Sequence, residues 1–139
     1  MDEEIKKNES PQQEEITTFR LGDETHPINK DDEVIEYIGE RIKALENLEE
    51  CKGLKKLLLR RNVIKKIENI SHLTQLEELE LYDNQLKVIE NLDSLVNLKV
   101  LDLSYNLIKK IEGLDNLTNL EVLFIVENRL KKVMISLFR

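Results

Sequence analysis

The sequence predicts an α/β-class solenoid, with short parallel strands on its concave face and 3₁₀ or irregular turns on its convex face. Three observations carry that expectation. From residue 54 onward the chain repeats itself every 22 residues. Within each unit, leucines first alternate and then recur about every third residue, a change from strand spacing to turn spacing. The composition is 40% hydrophobic but only 4% aromatic, with no Trp, so a core must be built from Leu and Ile.

Taken in chain order, residues 1–30 hold eight acidic and four basic side chains, both prolines (Pro11 and Pro27), and no repeating apolar pattern. Such a segment buries too little apolar surface to offset its ordering entropy, so a disordered acidic tail is expected. Residues 31–53 follow the repeat loosely. Stepping back one period places Ile35, Tyr37, Ile42, Leu45, Leu48 and Cys51 on core positions, with Asp32 and Glu40 replacing the Leu and the Asn. A degenerate capping repeat is preferred. The spacing of Ile35, Ile38, Ile42 and Leu45 keeps a capping helix as the alternative, although Gly39 weakens it by about 1 kcal/mol. Cys51 stands where Leu73 and Leu95 stand, and reads as a small buried hydrophobe.

Residues 54–133 contain the regular array. LKKLLLRRNVIKKIENISHLTQ (54–75), LEELELYDNQLKVIENLDSLVN (76–97) and LKVLDLSYNLIKKIEGLDNLTN (98–119) align without a gap, and LEVLFIVENRLKKV (120–133) begins a fourth. This is a leucine-rich-repeat pattern. The L-x-L alternation turns Leu57/Leu59, Leu79/Leu81, Leu101/Leu103 and Leu123/Ile125 inward. Ile64, Ile67, Ile70 and Leu73 continue the core along the return. The Asn column (Asn62, Asn84, Asn106, Asn128) has a structural reading: a primary amide both donates and accepts, so it can bridge backbone groups that leave the strand ladder. After Val133 the pattern stops. Residues 134–139 are a non-repeat tail, which suggests a truncated or alternatively terminated form with a frayed last repeat and self-association through the open C-terminal edge.

Composition also excludes functions. A net charge of −7 argues against nucleic acid or an anionic membrane as partner. One Cys allows no intramolecular disulfide and fits a reducing compartment. The N-terminus is polar and acidic, unlike a signal peptide, and a soluble intracellular protein is expected. No phosphate loop, H-E-x-x-H, C-x-x-C or G-x-S-x-G is present, so no enzyme, metal or cofactor is expected. His26 and His72 read as surface residues.

Binding is expected from the strand centres instead, because residues between inward leucines project from the concave face. That column runs Glu36, Leu58, Glu80, Asp102, Phe124, flanked by Lys56, Glu78, Val100, Val122 and by Arg60, Tyr82, Ser104, Val126. Lys56 should pair with Glu78 across adjacent strands. A solvent-facing Phe124 between Val122 and Val126 marks a contact surface.

The 22-residue unit, with IENL or IEGL after each return and LYDNQ or LSYNLIKKIEGLDNLTNLEVLF between, resembles the leucine-rich-repeat regulatory subunits of protein phosphatase 1. The resemblance covers about residues 29–133. It implies a non-enzymatic regulator whose concave face embraces the phosphatase catalytic subunit, with contacts at Asp102, Phe124 and Glu80, in the nucleus and cytoplasm. The family's remaining contacts lie in later repeats that this sequence does not contain. The alternative is a structural scaffold of the ciliary or dynein-associated leucine-rich-repeat type.

Overall fold

The computed structural model describes residues 17–21 and 24–131. Strands β1 (Thr17–Leu21) and β2 (Glu24–Ile28) form an antiparallel hairpin. Strands β3 (Val34–Glu36), β4 (Lys56–Leu58), β5 (Glu78–Glu80), β6 (Val100–Asp102) and β7 (Val122–Phe124) form one parallel sheet in chain order. The register follows the sequence period, pairing Ile35, Leu57, Leu79, Leu101 and Leu123 in one row. This is the solenoid the repeat predicts.

The described residues contain no helix. Each return instead makes consecutive i to i+3 turns: the Leu73 amide donates to Ile70 O and the Leu76 amide to Leu73 O, both at 3.0 Å. The same pair recurs at Leu95 and Leu98, and at Leu117 and Leu120. These tight turns bring Ile70, Leu73 and Leu76 to one side, and all three are fully buried, as are Ile64 and Ile67 ahead of them. Residues 31–53 form a repeat rather than a helix. β3 pairs with β4, and Ile35, Ile42, Leu45, Leu48 and Cys51 each keep 2% exposure or less.

Burial also pushes the Cys51 thiol up from its ordinary pKa, with smaller contributions from Asp32, Glu49 and Glu50. Little thiolate then exists near neutral pH. Iodoacetamide is expected to spare Cys51 in the native protein and to label it once urea unfolds the chain. Labelling at equal rates in both states would contradict this burial.

The tail boundary at residue 30 is corrected by the hairpin, since residues 17–21 and 24–28 are paired. Its last strand covers the first turn of the solenoid. Ile28 is buried, as is His26, which the sequence placed on the surface. The His26 ring meets Tyr37 edge-on at 4.8 Å, and its Nε2 lies 3.1 Å from Glu40 Oε2. The Tyr37 hydroxyl donates to Pro27 O. An open solenoid end exposes core, and a segment with its own period supplies the cover. A search for 22-residue repeats passes over it. The rest of the expected tail, residues 1–16, 22 and 23, lies outside the described residues, as do the last two positions of the array and residues 134–139.

The asparagines of the strand exits join consecutive turns. Asn62 Oδ1 accepts from the amides of Glu40 and Ile42 at 3.0 and 3.1 Å, while its Nδ2 donates to Tyr37 O at 2.9 Å. Asn106 Oδ1 accepts from Leu86 N, and its Nδ2 donates to Leu81 O and Leu103 O. Asn128 repeats the pattern with Ile108, Leu103 and Ile125.

Two further columns take left-handed backbone. Gly39, Arg61, Asp83, Tyr105 and Glu127 precede the Asn positions, and Asn47, Asn69, Asn91 and Gly113 lie on the return. Asn tolerates this conformation better than most residues. Asn69 and Asn91 also donate to Leu45 O and Ile67 O, at 2.8 and 2.6 Å. At Gly113 an added Cβ would stand 3.0 Å from the matching carbonyl, Ile89 O. Gly113→Asn is therefore expected to be tolerated, regaining the bond its column makes elsewhere. Gly113→Val, β-branched at φ +68°, should lose on the order of 1–3 kcal/mol. Thermal melting compares the two, and equal melting temperatures would refute the assignment.

Candidate protein-binding surface

Strand alternation decides what the concave face displays. With Leu57, Leu79 and Leu101 fully buried, their neighbours project outward, and the rows run Glu36, Leu58, Glu80, Asp102, Phe124 and Val34, Lys56, Glu78, Val100, Val122. The two halves of this face differ in character.

The first half pairs most of its charges, Glu36 excepted. Lys56 Nζ lies 3.2 Å from Glu78 Oε2. Arg60 Nε donates to Glu80 Oε2, and this bond raises the guanidinium pKa further, aided by the nearby charges of Glu80, Asp102 and Glu36. Glu80 keeps only 7% exposure. A partner reaches its carboxylate only by displacing Arg60, which the column pattern alone does not reveal.

The second half is open. Asp102 and Phe124 are direct register partners on β6 and β7. Asp102 is half-buried, and its Oδ1 accepts from the Ser104 amide at 3.0 Å, which fixes the carboxylate. Phe124 is 50% exposed and Val126 60%, with Val122 half-buried beside them. Tyr105 donates its backbone N–H to Val126 O at 2.9 Å. Its ring lies 5.0 Å from that of Tyr82. Tyr105 is 46% exposed, and it stands outside the strand-centre and flanking columns expected from the sequence. One oriented carboxylate beside an apolar and aromatic surface suits a protein partner that offers an apolar knob next to a cation.

His72 is exposed, although its Nε2 meets Leu48 O at 2.8 Å across the turn. Among the described residues no cluster of His, Cys, Asp and Glu could hold a metal ion, and no helix is long and apolar enough to cross a membrane.

Residues 74–116 and 96–133 match the family described as Leucine Rich repeats (2 copies). A Leptospira interrogans LRR protein superposes with a TM-score of 0.56 at 32% identity, over 58% of this chain and 21% of its own. An internalin (inlF) from Listeria monocytogenes gives 0.59 at 23% identity, over 78% and 40%. The internalin C2 of the same organism gives 0.51 at 26% identity, over 75% and 57%. The chain thus spans between a fifth and three-fifths of the solved chains it resembles. No curated protein sequence matches it. Residues 74–133 carry the leucine-rich repeats of this match, and the parallel sheet of five strands is a leucine-rich-repeat solenoid.

Proposed function

We propose that the protein is a non-enzymatic binding module that regulates a Ser/Thr phosphatase, holding the catalytic subunit of protein phosphatase 1 on its concave face. Its repeat units resemble those of the phosphatase regulators, and within them regulatory subunit 7. The observation that carries the reading is the pairing of Asp102 with the half-exposed Phe124 on adjacent strands. Lys56–Glu78 and Arg60–Glu80 pair most of the charge on the first half of the face, which leaves the exposed Phe124 beside Asp102 as the strongest contact on its C-terminal half. Action in the nucleus and cytoplasm belongs to the same proposal.

Affinity capture from lysate with mass spectrometry is the first test, and calorimetric titration against the purified catalytic subunit the second. Saturable one-to-one binding is expected. Recovery of tubulin or dynein chains without phosphatase would favour the scaffold reading instead.

A further inference from the structure

A file of lysines runs along the solenoid, away from the strand centres. Lys43, Lys65, Lys87, Lys109 and Lys131 occupy the same place in five successive turns, each directly after a core Ile or Leu. All five are exposed. The turns are hydrogen-bonded beside them: Val63 N to Ile42 O and Gln85 N to Ile64 O at 2.9 Å, Leu107 N to Leu86 O and Arg129 N to Ile108 O at 2.8 Å. These bonds hold neighbouring lysines at strand-like separation, about 4.8 Å, so the ladder is roughly 19 Å long.

Four lysines outside the file are paired, Lys55 with Glu33, Lys56 with Glu78, Lys99 with Glu77 and Lys110 with Glu112, while Lys30, Lys52 and Lys66 stand unpaired among the described residues but singly rather than in a row. None of the five ladder lysines makes an ion pair or hydrogen bond among the described residues. Glu46, Glu68, Glu90 and Glu112 stand three residues beyond the first four lysines, yet none forms an ion pair with a ladder lysine, and Glu112 pairs with Lys110 instead. Like charges on adjacent strands repel. A chain of net charge −7 has carboxylates to spare, so a continuous unpaired row of one sign is a cost without return inside the described fold.

We propose that this ladder docks an extended acidic segment of a partner polypeptide, laid along the solenoid axis. Carboxylates on one side of an extended strand recur about every 6.6–6.8 Å, within reach of lysines spaced more closely. Lysine is a point charge on a flexible stem and tolerates that mismatch, whereas an arginine fork would not. No aromatic residue lies within two positions of any ladder lysine, so nothing there would stack a nucleic-acid base. The surface is distinct from Asp102 and Phe124, and the proposal stands apart from the phosphatase reading.

The test uses the full chain and a fluorescein-labelled oligoglutamate peptide, followed by anisotropy. Wild-type protein is expected to bind at low ionic strength and to weaken steeply with added salt. K65Q/K87Q/K109Q should weaken binding by about tenfold or more. K52Q/K55Q/K99Q removes the same charge from outside the ladder and should bind nearly as wild type. Unchanged melting temperatures would show that both variants fold. Equal losses in the two variants, or no binding by wild type, overturn the proposal. So does tighter binding of an oligodeoxythymidylate of equal charge or of phosphatidylserine vesicles. Phosphatase titration of the ladder variant separates the two faces, because it should remain at the wild-type value.

Discussion

Asn84→Ala is expected to lower folding stability by about 1–3 kcal/mol, although it deletes only a small polar side chain. Asn84 is 6% exposed and lies in the middle of the array. Its Oδ1 accepts from the Ile64 amide at 3.1 Å, and its Nδ2 donates to Leu59 O and Leu81 O at 3.0 Å, with Tyr82 O at 3.3 Å. Alanine would strand an N–H and a carbonyl of the preceding turn, and water cannot reach them without opening the core. In an array where each turn contacts only its neighbours, the loss falls on the junction that couples the two halves. Asn84→Asp should be no better, because a carboxylate would face the carbonyls that the amide now serves. His72→Ala is the matched control. It also removes a bond across a turn, to Leu48 O, but at an exposed position where solvent replaces it. Its loss should stay under about 1 kcal/mol. Urea unfolding measures all three, and a wild-type midpoint for Asn84→Ala would show that the column does not join the turns.

The array was legible because its signal is burial repeated at a fixed interval. Each Leu of the L-x-L pairs meets the same environment as its counterpart one turn away, so Leu57, Leu79 and Leu101 share one row of the sheet. What the sequence concealed is whatever occurs once. His26 is buried at the fold's end against Tyr37 and Glu40, Ile28 is buried two residues on, and among the described residues no second copy of that contact reveals a pattern. Glu80 illustrates the other kind of miss. Its column places it on the concave face correctly, but whether it faces solvent depends on Arg60, twenty residues earlier, folding across it. Tyr105 was hidden by backbone conformation. It takes φ 55° beside the Asn column, a position that reads as a turn filler and yet exposes a ring beside Tyr82.

Phe124→Ala should weaken binding of the phosphatase catalytic subunit by on the order of 2 kcal/mol or more, about thirtyfold in Kd. An aromatic half-exposed in the free protein gains most of its burial on association, and Val122 and Val126 would flank it and exclude water. Since half of the ring is already in solvent, truncation should leave the melting temperature almost unchanged, which separates a contact from a packing role. Asp102→Asn keeps the oxygen that accepts from Ser104 but removes the charge, so it should slow association and flatten its salt dependence more than it speeds dissociation. Glu80→Gln should have the smallest effect on binding, because its carboxylate is already engaged by Arg60. The expected order of affinity loss is Phe124, then Asp102, then Glu80. Calorimetric titration reads it directly. A Glu80→Gln variant that loses more affinity than Phe124→Ala would move the binding centre to the first half of the concave face, and would require Arg60 to swing away on association.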